Sequence, residues 1–228
     1  MPREFNTTRP KLEAAIDYHF KDAELCRSAL THGSRLTKTP DYQRLEFLGD
    51  RVLSLVIADE LYHRYPQEAE GPLAARLSLL VRGQTCADVG TKLGLPDLIL
   101  VGHFEKQKGV QHGSSVVGDV VEALIGALYI DSGMDVARSF ILKHWSEMLD
   151  SNPTSLKDPK TLVQEWALAR ALALPQYEVT SRVGLEHAPT FTITLKVGPH
   201  EQVQGVGPSK QQAEMAAARE FIAREGLH

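Results

Sequence analysis

Four carboxylates in two short stretches are the residues best suited to chemistry. In QRLEFLGDRVL, residues 43–53, Glu46 and Asp50 stand four apart. In SSVVGDVVEALIGALYIDSG, residues 114–133, Asp119 and Glu122 stand three apart. Either spacing places both acids of a pair on one helix face. At 100° per residue, Leu45, Leu48, Val52, Leu55 and Val56 cover one broad side of the first helix, and Arg44, Arg51 and Ser54 a narrower polar side. Glu46 and Asp50 belong to neither. Their stripe continues as Leu53 and Ile57, so they point where the helix packs rather than where it meets water. A solvated face is the ordinary fate of paired acids, but here Arg44 and Arg51 already occupy that face.

The second stretch is apolar on almost every side, through Val120, Val121, Leu124, Ile125, Leu128 and Ile130. Ala123 and Gly126 fall near the face of its two acids, which lets another helix approach closely. Bare carboxylates in a packed region are costly unless something positive pairs with them, and no basic residue shares their stripe within a turn. An oxygen-rich set of four acids suits Mg²⁺, with Mn²⁺ as a substitute. Neither stretch holds His or Cys, which argues against zinc or copper, and neither holds the Glu-x-x-His pair of a di-iron bundle. A divalent ion there would suit phosphoryl chemistry, by lowering the pKa of bound water and neutralising non-bridging oxygens.

The elements that must position these acids form a helical first region. The 228 residues suffice for one large or two modest domains, and 43% hydrophobic with 24% charged content is ordinary for a soluble globular chain. No apolar run reaches the ~18 residues of a membrane span, and MPREFNTTRPKLE lacks the apolar core of a signal peptide. Cys26 and Cys86 sit far from any CxxC or His cluster, so buried free thiols in a reducing cytoplasm are expected. The net charge of −4 gives no global hint of a nucleic-acid partner. DSNPTSLKDP, residues 150–159, is polar with two prolines and reads as a linker. The expected division is a domain over 1–150, a linker over 151–157 and a domain over 158–228. The tail from 151 holds 8 basic and 8 acidic residues, leaving 17 basic and 21 acidic before it, so the acidity belongs to the first domain.

RLEFLGD at 44–50, THGS at 31–34 and GDVVEALIGALYIDSG at 118–133 resemble the motifs of bacterial ribonuclease III, in order and spacing. The resemblance implies an all-α endonuclease domain in which Glu46, Asp119 and Glu122 hold the divalent metal, with Asp50 and Glu122 catalytic. Two positions bear on support of the site or on the dimer contact. Gln43 stands where the family signature usually begins with Glu, and an amide is a poorer Mg²⁺ ligand. Glu70, in EGPLAARL, matches a supporting acid near the subunit contact, although a solvated loop acid before Gly71-Pro72 is the plain alternative.

The tail changes pattern. Asp158-Pro159 is an N-cap and first helical residue, and KTLVQEWALARAL reads as a helix. QYEVTSRV alternates partly. TFTITLKV alternates cleanly, with Phe191, Ile193, Leu195 and Val197 on one face and Thr192, Thr194 and Lys196 on the other. GLEHAP and GPHE are turn-like, QVQGVG is a third short strand, and Ser209 with Gln212 forms a capping box before a final helix whose Ala213, Ala216 and Ala217 permit close packing. This α-β-β-β-α order, ending in GVGPSKQQAEMAAA, resembles the double-stranded-RNA-binding domain. The resemblance implies minor-groove contacts from Gln164 and His187 and a phosphate contact from Lys210 at a positive helix end. Thr161 reads as an ordinary helix residue. Gln211 and Gln212 follow where a second basic residue is usual, and the domain is neutral, so modest affinity is expected.

Together these readings predict a two-domain, divalent-metal endoribonuclease for double-stranded RNA. The family implies a homodimer, 5′-phosphate and 3′-hydroxyl ends with short 3′ overhangs, and processing of ribosomal and messenger RNA precursors. A non-catalytic RNA-binding platform is the rival, opposed by the intact quartet. A helical metal-storage or redox protein with an RNA-binding tail is weakened by the missing histidines.

Overall fold

The structure is a computed structural model that describes residues 2–35, 40–151, 158–185 and 188–227. It divides into two units, Met1–Ser151 and Asn152–His228. Residues 152–157, most of the expected linker, lie outside the described residues, and so does His187.

The first unit is helical: α1 (Pro2–Ile16), α2 (Ala23–Leu30), α3 (Gln43–Arg64), α4 (Glu70–Leu80), α5 (Gly83–Lys92), α6 (His103–Gln107), α7 (Ser114–Ser132) and α8 (Met134–Leu149). Short 3₁₀ turns at Leu95–Asp97 and Val110–His112 join the later elements. The run of Val, Leu, Ile and Ala in α7 makes it the axis of the core. Val120, Val121, Ala123, Leu124, Ile125 and Ala127 are fully buried, because α2, α3, α5 and α8 all pack on this helix. At Gly90 an added Cβ would lie 2.6 Å from Val117 Cγ1 and 2.8 Å from Val121 Cγ2, so α5 lies hard against α7. Trp145 of α8 is fully buried and donates its indole N–H to the Leu80 carbonyl at 2.8 Å.

The apolar side expected for α3 is only partly buried. Leu45, Val52, Leu53, Val56 and Ile57 are in the core, but Leu55 is exposed, as are Phe47 and, on α7, Ile130. Among the described residues no helix is long and apolar enough to cross a membrane. Both cysteines are free and buried.

The second unit runs α9 (Pro159–Ala169), β1 (Gln176–Leu185), β2 (Ala188–Lys196), β3 (Val203–Gly207) and α10 (Lys210–Glu225). The sheet is antiparallel in the order β1-β2-β3. Asp158 caps α9 by accepting the Lys160 and Thr161 N–H groups. Ile193, Leu195 and Val197 are fully buried, as their alternation predicts. Thr194, on the opposite face, is buried as well. Its hydroxyl meets Thr180 Oγ1 at 3.3 Å and accepts from Gln204 at 3.2 Å, since a central strand is flanked on both edges. GLEHAP is largely strand rather than turn: Gly184 pairs with Pro189 and Leu185 with Ala188.

The alanine-lined close approach is real. A Cβ on Gly205 would lie 2.1 Å from the Ala217 nitrogen and 2.2 Å from the Ala213 oxygen, so β3 lies directly on α10. Of the expected capping box, the Ser209 half is formed: its Oγ accepts the Gln212 N–H at 3.2 Å, while the Gln212 side chain turns to that same Oγ, 3.4 Å away. A separate core joins the helices to the sheet through Val163, Trp166, Leu195, Val203 and Phe221.

Candidate active site

The quartet is assembled by one helix crossing. Gly49 of α3 and Gly126 of α7 are buried at the point where the two helices meet. An added Cβ on Gly49 would lie 1.7 Å from the Glu122 carbonyl oxygen, and one on Gly126 would lie 2.3 Å from the Leu45 carbonyl oxygen. Main chain therefore touches main chain, as only glycine at both positions allows. Glu46 and Asp50 flank the first glycine, and Asp119 and Glu122 lie on the N-terminal side of the second. All four are half-buried. The contact value of Gly126 was legible from the sequence. That of Gly49 was hidden, because a lone glycine in a helical run has several ordinary explanations.

The electrostatics follow from that placement. Glu122 is the most perturbed, pushed up to about 7 first by burial and then by the charges of Asp50, Asp119 and Glu46. Burial, then Asp119, Asp41 and Asp50, raise Glu46 above the ordinary carboxylate range. Burial raises Asp119 too, opposed by a hydrogen bond from the Tyr42 hydroxyl to its Oδ2 at 3.3 Å and by nearby His32. Asp50 has a positive neighbour after all: Arg51 reaches it at 3.1 Å from the next position along the helix.

The donor set fits a hard divalent cation. It is all oxygen, and its members raise one another's proton affinity, a penalty that a nearby cation would reverse. Among the described residues no three Asp, Glu, His or Cys side chains are already arranged as an ion's ligands.

Three neighbours escaped the sequence reading. Tyr42 and His32 stand beside Asp119. The Cys86 thiol of α5 lies against Glu122, and burial followed by that carboxylate raises its pKa, so it remains a neutral donor. Each is distant in sequence from the acid of α7 that it meets, and only tertiary packing brings the two together.

Gln43 is exposed at the first position of α3, its N–H donating to Asp41 Oδ1 at 3.2 Å. It lines a surface groove with Leu25, Pro40, Phe47, Leu48 and Ile130. Glu70 is exposed at the first position of α4, a helix start rather than a loop, and is not among the groups that shift Glu46, Asp119 or Glu122. In the second unit, Gln164 is exposed on α9, as is Thr161, and Lys210 is exposed at the first position of α10 after the Ser209 cap.

Comparison with known proteins agrees with this architecture. Residues 22–149 match the family model described as ribonuclease-III-like, and residues 159–224 match the double-stranded RNA binding motif. The chain is 42% identical to ribonuclease 3 of Rhodopseudomonas palustris over 223 residues, covering 96% of this chain and 82% of that one. It is 43% identical to ribonuclease 3 of Rhizobium meliloti, over 99% and 95% of the two chains. The crystal structure of the nuclease domain of ribonuclease III from Campylobacter jejuni superimposes with a TM-score of 0.59 at 36% identity, covering 63% of this chain and 97% of that one. A half-buried carboxylate quartet at a glycine crossing, followed by a separate α-β-β-β-α unit, thus belongs to a chain of the ribonuclease III family, an endoribonuclease that carries a double-stranded-RNA-binding domain.

Proposed function

We propose that this chain hydrolyses phosphodiester bonds of double-stranded RNA at the Glu46–Asp50–Asp119–Glu122 quartet. The observation that carries the reading is the half-buried carboxylate quartet gathered at the Gly49–Gly126 crossing of α3 and α7, where burial and three acidic neighbours push Glu122 up. An interior that concentrates negative charge in this way is suited to receive a cation. Glu46, Asp119 and Glu122 would hold Mg²⁺, or Mn²⁺ in its place. A divalent ion held there supplies a water of lowered pKa and offsets charge on the phosphate oxygens. Asp50 orients what is bound beside it, with its own carboxylate steadied by Arg51. The expected products carry 5′-phosphate and 3′-hydroxyl ends with short 3′ overhangs.

Duplex binding is assigned to Gln164, His187 and Lys210 of the second unit, Lys210 adding its charge to the positive end of α10. Homodimerisation is supported by the groove beside α3, where Phe47 is 69% and Ile130 55% exposed, more than a solvated helix face needs. Gln43 lies on that groove and supports the contact rather than the chemistry. A related crystal structure, again of the Campylobacter jejuni nuclease domain, concerns flexibility in a region involved in dimer formation. Glu70 has a supporting role at most. The free buried thiols suit a reducing cytoplasm, where precursors of ribosomal and messenger RNA are the expected substrates.

The test is direct. Purified protein with Mg²⁺ should shorten long duplex RNA and leave single-stranded RNA and duplex DNA intact. Retention of duplex RNA without cleavage, at any Mg²⁺ or Mn²⁺ concentration, would overturn the reading.

A further inference from the structure

The THGS segment at 31–34 takes no part in the chemistry above, yet defined contacts join it to the quartet. The His32 N–H donates to the Leu100 carbonyl at 2.9 Å, which fixes the segment's backbone. The Ser34 N–H donates to His32 Nδ1 at 3.1 Å, and Ser34 Oγ lies 2.7 Å from the same nitrogen. That oxygen also accepts the Gly102 N–H at 3.1 Å, leaving the hydroxyl hydrogen to point at the ring. A ring nitrogen that accepts a backbone N–H carries no proton, so the neutral imidazole bears its proton on Nε2. Ser34 thus fixes both the tautomer and the orientation of His32.

The ring meets Tyr42 edge to face, with centroids 5.8 Å apart at 64°. Tyr42 is buried, its N–H donates to the Thr31 carbonyl at 3.0 Å, and its own carbonyl accepts the Glu46 N–H at 2.9 Å. Its hydroxyl crosses to α7 and donates to Asp119 Oδ2 at 3.3 Å. One side chain thus ties the turn that carries Glu46 to the helix that carries Asp119. An ordinary phenol, with a pKa of about 10, is a protonated donor at neutral pH.

We propose that Tyr42 and His32 are positioning residues for the quartet: the imidazole locked by Ser34 braces the Tyr42 ring, and the Tyr42 hydroxyl holds the Asp119 carboxylate in the orientation a divalent ion requires. The inference rests on the reading of the quartet as a divalent-metal site. Partners that orient ligating groups commonly contribute 10–100-fold to metal affinity.

The test measures Mn²⁺ binding to the full chain without RNA, by electron paramagnetic resonance of the free ion, beside single-turnover cleavage across a Mg²⁺ titration. Tyr42→Phe keeps the buried ring and removes only the hydroxyl. It should weaken Mn²⁺ binding by about tenfold, within the range for outer partners, and raise the half-saturating Mg²⁺ concentration by a similar factor. Most of the cleavage rate should return at saturating metal. His32→Ala should act in the same direction, and His32→Gln, which retains a side-chain N–H, should recover part of the loss. Parent-like Mn²⁺ affinity in Tyr42→Phe would overturn the proposal, as would a loss of rate that added metal does not restore. Glu122→Gln serves as the control. If the parent binds no Mn²⁺ that Glu122→Gln weakens, the metal reading of the quartet itself has failed, and the positioning role falls with it.

Discussion

The acidic crossing of the first unit and the positions proposed to bind RNA in the second are built on opposite physical terms. At the crossing, four like charges are held half-buried by main-chain contact between α3 and α7, and burial raises the proton affinity of Glu46, Asp119 and Glu122. In the second unit, Gln164 and Lys210 stand exposed on helix surfaces, placed by a cap and a sheet but not confined. The first arrangement costs stability and yields a site in which small displacements matter. The second costs little and yields contacts that each contribute modestly. Chemistry at the crossing should therefore be lost abruptly by single changes, and binding by the second unit gradually.

The largest expected effect is at Glu122. Glu122→Gln is nearly isosteric but removes a charge and a strong ligand, so cleavage should fall by about a thousandfold or more, roughly 4 kcal/mol of barrier. Duplex affinity by gel shift should stay near the parent's. Near-parental cleavage would erase the contrast between the two regions. Gly49→Ala comes next. It adds no polarity, yet its Cβ would sit 1.7 Å from a carbonyl oxygen, so the helices must part. Overpacking of this kind costs about 1–3 kcal/mol or more. Calorimetry should show a lowered Tm, and cleavage should drop with it. A variant that melts like the parent would mean the crossing has slack.

A pH dependence separates the regions as well. Glu122 titrates at about 7 in the folded chain and near ~4.3 when unfolded. Between those values the folded state binds the extra proton, so metal-free stability should decline as pH rises from about 4.3 towards 7. Mg²⁺ competes with that proton, so its stabilising effect in thermal melts should grow over the same window. A Mg²⁺ effect independent of pH would show that Glu122 is not a ligand. The smallest effect is at Lys210. Lys210→Ala should weaken binding to different duplexes about equally and reduce the slope of log affinity against log salt by about one unit. An unchanged slope would make Lys210 an ordinary surface residue.

Legibility in the sequence differed between the regions for the same physical reason. Periodicity reports which side of an element is buried, so the helical first unit, the alternation of Ile193, Leu195 and Val197, and the anomalous acids could all be read directly. Periodicity does not report which buried surfaces meet. Gly49 as a backbone contact, and Tyr42, His32 and Cys86 as neighbours of the quartet, depend on packing between segments distant in sequence. Exposure was misjudged where a surface is apolar: Leu55 and Ile130 face outward. Thr194 was misjudged in the opposite sense, because alternation cannot reveal that a strand is central.

The glycine contact between α3 and α7 also bears on how such a sequence can diverge. Where side chains set the distance between two helices, each core substitution shifts that distance, and a site spanning the helices shifts with it. Here main-chain atoms act as the gauge at the crossing. The aliphatic residues along both helices are then free to exchange Val for Ile or Leu over generations while the separation of the carboxylates stays constant. Sequence drift in the interior and constancy of the site become compatible, and the constraint narrows to two positions that carry no side chain.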